Sequence, residues 1–166
     1  ITGAGPIGLI SVAICKFIRA KNIVITDIND YRLTLAKQLG ATKTINTKKD
    51  SIKNCFDELN IKHGFDVGLE MSGNGQAFNE MLSSIYHGGK IVLLGLLPRS
   101  TCIDWDNIIF KGLQVRGVYG REMYETWYKM DQLIKSGLDL SKIITHKFPI
   151  SNFDKAFKVI SSGQCR

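Results

Sequence analysis

A glycine-rich loop at the start of the chain constrains the fold more than any other feature. Gly3-Ala4-Gly5-Pro6-Ile7-Gly8 has the form G-x-G-x-x-G, and a carboxylate, Asp27, closes the next apolar run. That pairing is the fingerprint of a strand–loop–helix–strand unit that holds a dinucleotide. Gly3 makes the tight turn out of a strand. Gly5 lets the backbone approach a pyrophosphate, and Gly8 lets the next helix pack close to the sheet. Pro6 suits a first helical turn, where its missing N–H costs nothing. The helix N-terminus then offers N–H groups and a partial positive charge to phosphates.

Glycine makes up 16 of the 166 residues, so the motif alone carries little weight. Its surroundings carry more. Residues 9–20 are mostly apolar and read as a buried helix, and residues 22–26 read as a buried strand with Asp27 at its end. Asp27 is placed to accept hydrogen bonds from the adenosine ribose hydroxyls. Its charge repels a 2′-phosphate, so NAD is expected rather than NADP. For Arg32 the spacing leaves two readings open, an exposed helix charge or a guanidinium lying over the adenine face. Only Ile1 and Thr2 precede the loop, and there is no initiator Met. The expectation is a piece of a longer protein that begins inside its first strand. With most of that strand missing, neighbouring backbone groups lack partners and marginal stability is expected.

Strand and helix patterns alternate along the chain. Strands are expected at 41–45, 65–70, 90–95 and 113–119, in addition to 22–26 and the remnant before the loop. Helices are expected at 9–20, from an Asp30 N-cap to a Gly40 stop, and at 51–61, 76–86, 105–110, 121–136 and 153–162. Gly88-Gly89 reads as a turn before a strand. This order predicts an α/β fold, a doubly wound six-stranded parallel sheet of Rossmann type. Its strand order would be 3-2-1-4-5-6, with the first strand truncated. Ligands in such sheets sit at the carboxyl ends of the strands. The candidate lining is therefore Gly3 to Gly8, Asp27, Ser72-Gly73, Gly95-Leu96 and Val118-Tyr119. Gly95 reads as admitting a ligand close to the backbone, whereas Gly73 stays open between that role and an ordinary turn.

A hydrophobic content of 44% and a charged content of 22% describe a globular chain, long enough for one domain with a sizeable core. No apolar run is long enough to span a membrane. The net charge of +7 is dispersed and forms no aromatic-interleaved basic stripe, which argues against nucleic acid. It would help to steer an anionic cofactor. Cys15, Cys55, Cys102 and Cys165 show no C-x-x-C pairing, so neither a disulfide framework nor a zinc site is expected, and a reducing cytoplasm fits best. His63, His87 and His146 lack metal-ligand spacing. Hydride transfer to NAD also needs an acid–base group or a metal for the hydroxyl proton. None of Tyr119, Tyr124 and Tyr128 has a lysine four residues on. No catalytic or metal-binding residue is therefore assigned, and that chemistry is expected to lie elsewhere.

The stretch from Ile1 to Gly8 resembles the cofactor loop of the zinc-dependent medium-chain dehydrogenases. The string Gly120-Arg121-Glu122-Met123-Tyr124-Glu125-Thr126-Trp127-Tyr128-Lys129-Met130 is more specific and resembles the members that act on L-threonine. Residues 24–27, 65–73, 109–113 and 136–140 are similar to the same members, so the resemblance covers essentially the whole chain. It implies oxidation of the L-threonine hydroxyl with NAD to L-2-amino-3-ketobutyrate, a step of threonine catabolism. It implies catalytic and structural zinc in an N-terminal domain outside this chain, which by itself is expected to be inert. It implies cofactor contacts from Ile7, Asp27, Arg32, Leu94, Gly95, Leu96, Val118 and Tyr119. It also implies a homotetramer in which the edge strand 113–119 pairs across two subunits. Residues 1–140 would form the cofactor domain, and 141–166 would return toward the N-terminal domain, stopping at Gln164-Cys165-Arg166 before a closing strand. Met123, Trp127, Met130 and Ile134 form a helical stripe expected to pack, as core or as a subunit contact. The alternatives are a related polyol or secondary-alcohol dehydrogenase, or a non-catalytic NAD-sensing module.

Overall fold

The computed structural model describes residues 1–163; Gln164, Cys165 and Arg166, and with them the fourth cysteine and the chain-end departure, lie outside it. The glycine loop leads straight into α1 (Pro6–Phe17), with Pro6 in its first turn. Leu9, Val12 and Ala13 on one face of α1 pack against Ile25, Leu33 and Ala36. Strand β1 (Val24–Asp27) follows, buried along its first three residues. The next helix, α2 (Asp30–Gln38), is capped by Asn29 and not by Asp30. Asn29 Oδ1 accepts the N–H groups of Tyr31 at 3.0 Å and Arg32 at 3.3 Å, which leaves Asp30 as the first helical residue. Strand β2 (Lys43–Asn46) then pairs in parallel with β1.

The predicted helix at 51–61 is shorter than expected. A single 3₁₀ turn, Ile52–Asn54, leads into α3 (Cys55–Glu58), and Asn60 adopts a left-handed φ of 54° that ends it. Strand β3 (Phe65–Glu70) has the predicted bounds. Helix α4 (Gly75–Ser84) passes without a loop into β4 (Ile85–Leu93), so Gly88 and Gly89 lie inside a strand and are not a preceding turn. The β3–β4 register slips there: Phe65 faces Ile85, yet Val67 faces Lys90. A Cβ at Gly89 would stand 2.4 Å from Ile85 Cγ2, so the extra residues are accommodated by a position with no side chain. Helix α5 (Trp105–Phe110), strand β5 (Gln114–Gly117), α6 (Glu125–Lys135) and α7 (Phe153–Ser161) complete the chain. Helix α6 starts later than predicted because Tyr124 takes a left-handed φ of 66°.

The strands are parallel, as expected of an α/β dehydrogenase-like fold, but among the described residues there is no continuous six-stranded sheet. The five strands described form two sheets, β1 with β2 and β3-β4-β5 in that order. The position of a first strand is held by one residue. Thr2 makes single parallel bridges to Thr26 on one side and Glu70 on the other. Two residues before the loop are too few for a ladder of their own, yet Thr2 N–H still donates to Leu69 O at 2.9 Å and Gly3 N–H to Thr26 O at 2.8 Å. Because every pairing is parallel, Asp27, Asn46, Glu70, Leu93 and Gly117 end their strands on the same side.

Among the described residues three cores flank this arrangement. One joins α1, β1 and α2, with Leu138 added from the later chain; a second joins Phe78, Met81, Leu82, Ile85 and Ile91; a smaller third joins Val24, Ile45 and Cys55. Beyond Ile91, Leu138 is the one buried hydrophobic residue among those described. The stripe Met123, Trp127, Met130 and Ile134 is not core: it is exposed in the single chain. Helix α6 meets the first core through Leu133, and its stripe faces away.

Candidate functional site

The glycine loop and Asp27 meet at the carboxyl end of β1. Asp27 Oδ2 accepts the Ala4 N–H at 2.6 Å, and Oδ1 accepts the Asn29 N–H at 2.9 Å. Each carboxylate oxygen has capacity for a further donor, so this anchoring fixes Asp27 without exhausting it. Gly3 sits at φ 85°, and a Cβ there would lie 2.9 Å from Ser72 Cα. A Cβ on Gly8 would come within 1.9 Å of Gly3 O, so no side chain fits between α1 and the loop. Gly5 faces open space: among the described residues nothing beyond its chain neighbours lies within 4 Å of the place a Cβ would take. No described side chain caps α1, and Ile7 in its first turn is exposed. This is an open backbone cradle beside a helix N-terminus, suited to a group that is anionic and must come close.

The remaining expected residues lie on the same side of the sheets. Leu94 and Gly95 both donate their N–H groups to Glu70 O, at 3.0 and 3.1 Å, where β4 ends. Leu96 is exposed beside them. Val118 N–H donates to Leu93 O at 2.8 Å beyond β5, and Tyr119 projects fully into solvent. Arg32 lies in the first turn of α2, with an enclosed Nε that has no hydrogen-bond partner among the described residues. A cavity of about 340 Å³ opens at the opposite ends of the strands, between Ile1, Asn22, Val24, Gly64, Phe65 and Val67, and contains none of these site residues.

One residue at this edge escaped the sequence reading. Glu70, fully buried, sends Oε1 toward Thr2, Ser72 and Gly73. The available signal was an acid ending the strand Phe65–Glu70, followed by Ser72-Gly73, but such an acid ordinarily reads as an exposed strand end. For zinc, the donor set does not fit: among the described residues no three His, Cys, Asp or Glu side chains gather at one point.

The family model for zinc-binding dehydrogenases matches residues 6–136, and the chain belongs to that family. Among curated proteins, L-threonine 3-dehydrogenase of Chromobacterium violaceum is 57% identical over 99% of this chain and 48% of its own length. The chain thus spans about half the length of the curated relatives it matches. A short chain alcohol dehydrogenase of Escherichia coli CFT073, solved with NADH, is 25% identical with a TM-score of 0.84 over 96% of this chain and 47% of its own. The 2R,3R-butanediol dehydrogenase of Bacillus subtilis, at 21% identity, a TM-score of 0.87 and coverage of 99% and 47%, shares the fold.

Proposed function

We propose that this chain is the NAD-binding part of an L-threonine 3-dehydrogenase, an enzyme that oxidises the threonine hydroxyl to give L-2-amino-3-ketobutyrate. The observation that carries the cofactor reading is Asp27, pinned by the Ala4 N–H at 2.6 Å beside the open backbone of Gly5. Asp27 accepts the ribose hydroxyls and repels a 2′-phosphate. Gly3, Gly5, Ile7 and Gly8 hold the pyrophosphate at the N-terminus of α1. Arg32 covers the adenine, its enclosed Nε having no hydrogen-bond partner among the described residues. Leu94, Gly95, Leu96, Val118 and Tyr119 receive the nicotinamide end. Bound NAD supplies the hydride acceptor.

The threonine assignment rests on the 57% identity to the Chromobacterium violaceum relative. Zinc belongs to residues outside this chain in this reading, and residues 1–166 alone are inert toward threonine. The strands of the two sheets, with Thr2 between them, correspond to a six-strand order of 3-2-1-4-5-6. Residues 1–140 form the cofactor domain, and 141–166 lead away from it. The whole enzyme is a homotetramer of the cytoplasm, with β5 as a pairing edge; no described helix is long and apolar enough to cross a membrane.

Calorimetric titration of the chain with NAD and with NADP tests the cofactor reading. Binding of NAD in preference to NADP, lost in Asp27→Ala, is expected. Equal binding of both, or affinity untouched by Asp27→Ala, would overturn it. Turnover of threonine with NAD and zinc by a protein extended to the length of the relatives tests the substrate. Turnover by residues 1–166 alone would overturn the claim that this part is inert.

A further inference from the structure

Glu70 is fully buried at the end of β3, and a buried carboxylate is costly to keep unless it is well hydrogen-bonded. Its partners converge on one oxygen. Oε1 accepts the Ser72 N–H at 2.8 Å, the Gly73 N–H at 3.0 Å, the Thr2 hydroxyl at 3.3 Å and, at very short range, the Ser72 hydroxyl. Oε2 has no hydrogen-bond partner among the described residues. It lies against Gly95, where a Cβ would stand 2.2 Å from Oε2 and 2.3 Å from Gly73 N. The main-chain oxygen of the same residue accepts the Leu94 and Gly95 N–H groups. One residue therefore touches three segments at the candidate site: Thr2 ahead of the glycine loop, the Ser72-Gly73 turn, and the Leu94-Gly95 turn.

An apolar residue would fill this position at less cost in desolvation, but it could gather none of these donors. We propose that Glu70 is a positioning residue: it locks the glycine loop and the two neighbouring strand-end turns into one unit, and so sets the spacing of the dinucleotide site. This rests on the cofactor reading above. Glu70 is enclosed and does not itself touch the ligand. The side chain acts through the Thr2, Ser72 and Gly73 donors and through its contact with Gly95. An amide is a poorer acceptor in this place: its neutral oxygen would accept the donors gathered at Oε1 more weakly, and its NH₂ at the enclosed Oε2 position would find no hydrogen-bond partner among the described residues.

The test is titration of NADH fluorescence with the chain carrying Glu70→Gln, well below the melting midpoint, together with amide hydrogen exchange of the unliganded protein. The Kd is expected to rise roughly tenfold. The Ser72 and Gly73 amides should exchange faster while those of Ile25 and Ile91, inside the strands, stay unchanged. A purely structural role would lower the melting midpoint and leave Kd where it was, so an unchanged Kd overturns the proposal. If the unsubstituted chain binds no NADH, the cofactor reading fails, and exchange then judges Glu70 alone. Acceleration confined to Ser72 and Gly73 sustains the lock, and unchanged exchange overturns it. If Glu70→Gln does not fold, Ser72→Ala removes one donor and is read the same way. A rise in Kd of roughly threefold supports the proposal and none overturns it.

Discussion

Phe78 and Trp127 occupy amphipathic helices of similar length, α4 and α6, yet Phe78 is 1% exposed and Trp127 is 44% exposed. Helix α4 is clamped between β3 and β4 on one side and α5 on the other, so its apolar face closes a core. Helix α6 carries an equally clear stripe and turns it outward. The same contrast holds on α7, where Phe153, Phe157 and Ile160 are all exposed. Amphipathicity thus says that a face is built to be covered. It does not say that the cover comes from the same stretch of chain.

The largest test of this contrast is Phe78→Ala, which leaves a cavity in a closed core and is expected to cost about 3–5 kcal/mol. Chemical denaturation of the variant checks it. Next comes Lys111, which ties the later region back to the earlier one. Its ammonium donates to Leu82 O and Ser83 O at 2.8 Å and to Ile85 O at 3.1 Å, satisfying carbonyls at the end of α4. Burial there pushes the Lys111 ammonium below the usual lysine range, with Asp104 opposing the shift. Lys111→Met, which strips those carbonyls of their donor, should cost about 1–3 kcal/mol by the same measurement. Trp127→Ala should change the stability of the isolated chain by less than about 0.5 kcal/mol. A loss comparable to that of Phe78→Ala would show that α6 is covered in solution and would erase the contrast.

The smallest effect concerns pH. The Asn46 side chain and Lys49 hold the Asp30 carboxyl below its ordinary value of 3.8. A carboxylate with a depressed folded pKa stabilises at neutral pH, and that contribution is lost as pH falls from 3.8 through the lower folded value. Melting midpoints followed from roughly pH 5 to pH 2 should therefore fall less steeply in Asp30→Asn than in the unsubstituted chain.

Much of this could be read from the residues because it depends on local chemistry. The glycine loop, Asp27 closing β1, and β3 with its alternating Phe65, Val67 and Leu69 each follow from spacing within a short window. What failed depended on competition between equals or on distant partners. Asn29 and Asp30 are both good caps, and only the backbone geometry favours Asn29. Gly88-Gly89 is a plausible turn until β4 is seen to start at Ile85, directly after α4. The outward face of α6 cannot be told from an inward one by periodicity. Glu70 owes its importance to Thr2, which lies 68 positions away in sequence.

Thr2 has a mechanical consequence of its own. Among the described residues, the backbone ladder crosses from one sheet to the other only along the short stretch around it, through Thr26 and Leu69 to Met71. Elsewhere the two sheets are separate fabrics, held together by side-chain packing such as that of Phe65 against Val24 and Ile45. The molecule therefore has a seam with one stitch. Cooperative units open separately where few bonds join them, so the β1–β2 half and the β3–β4–β5 half can breathe on their own clocks. A dinucleotide lying across the seam would have to do the sewing.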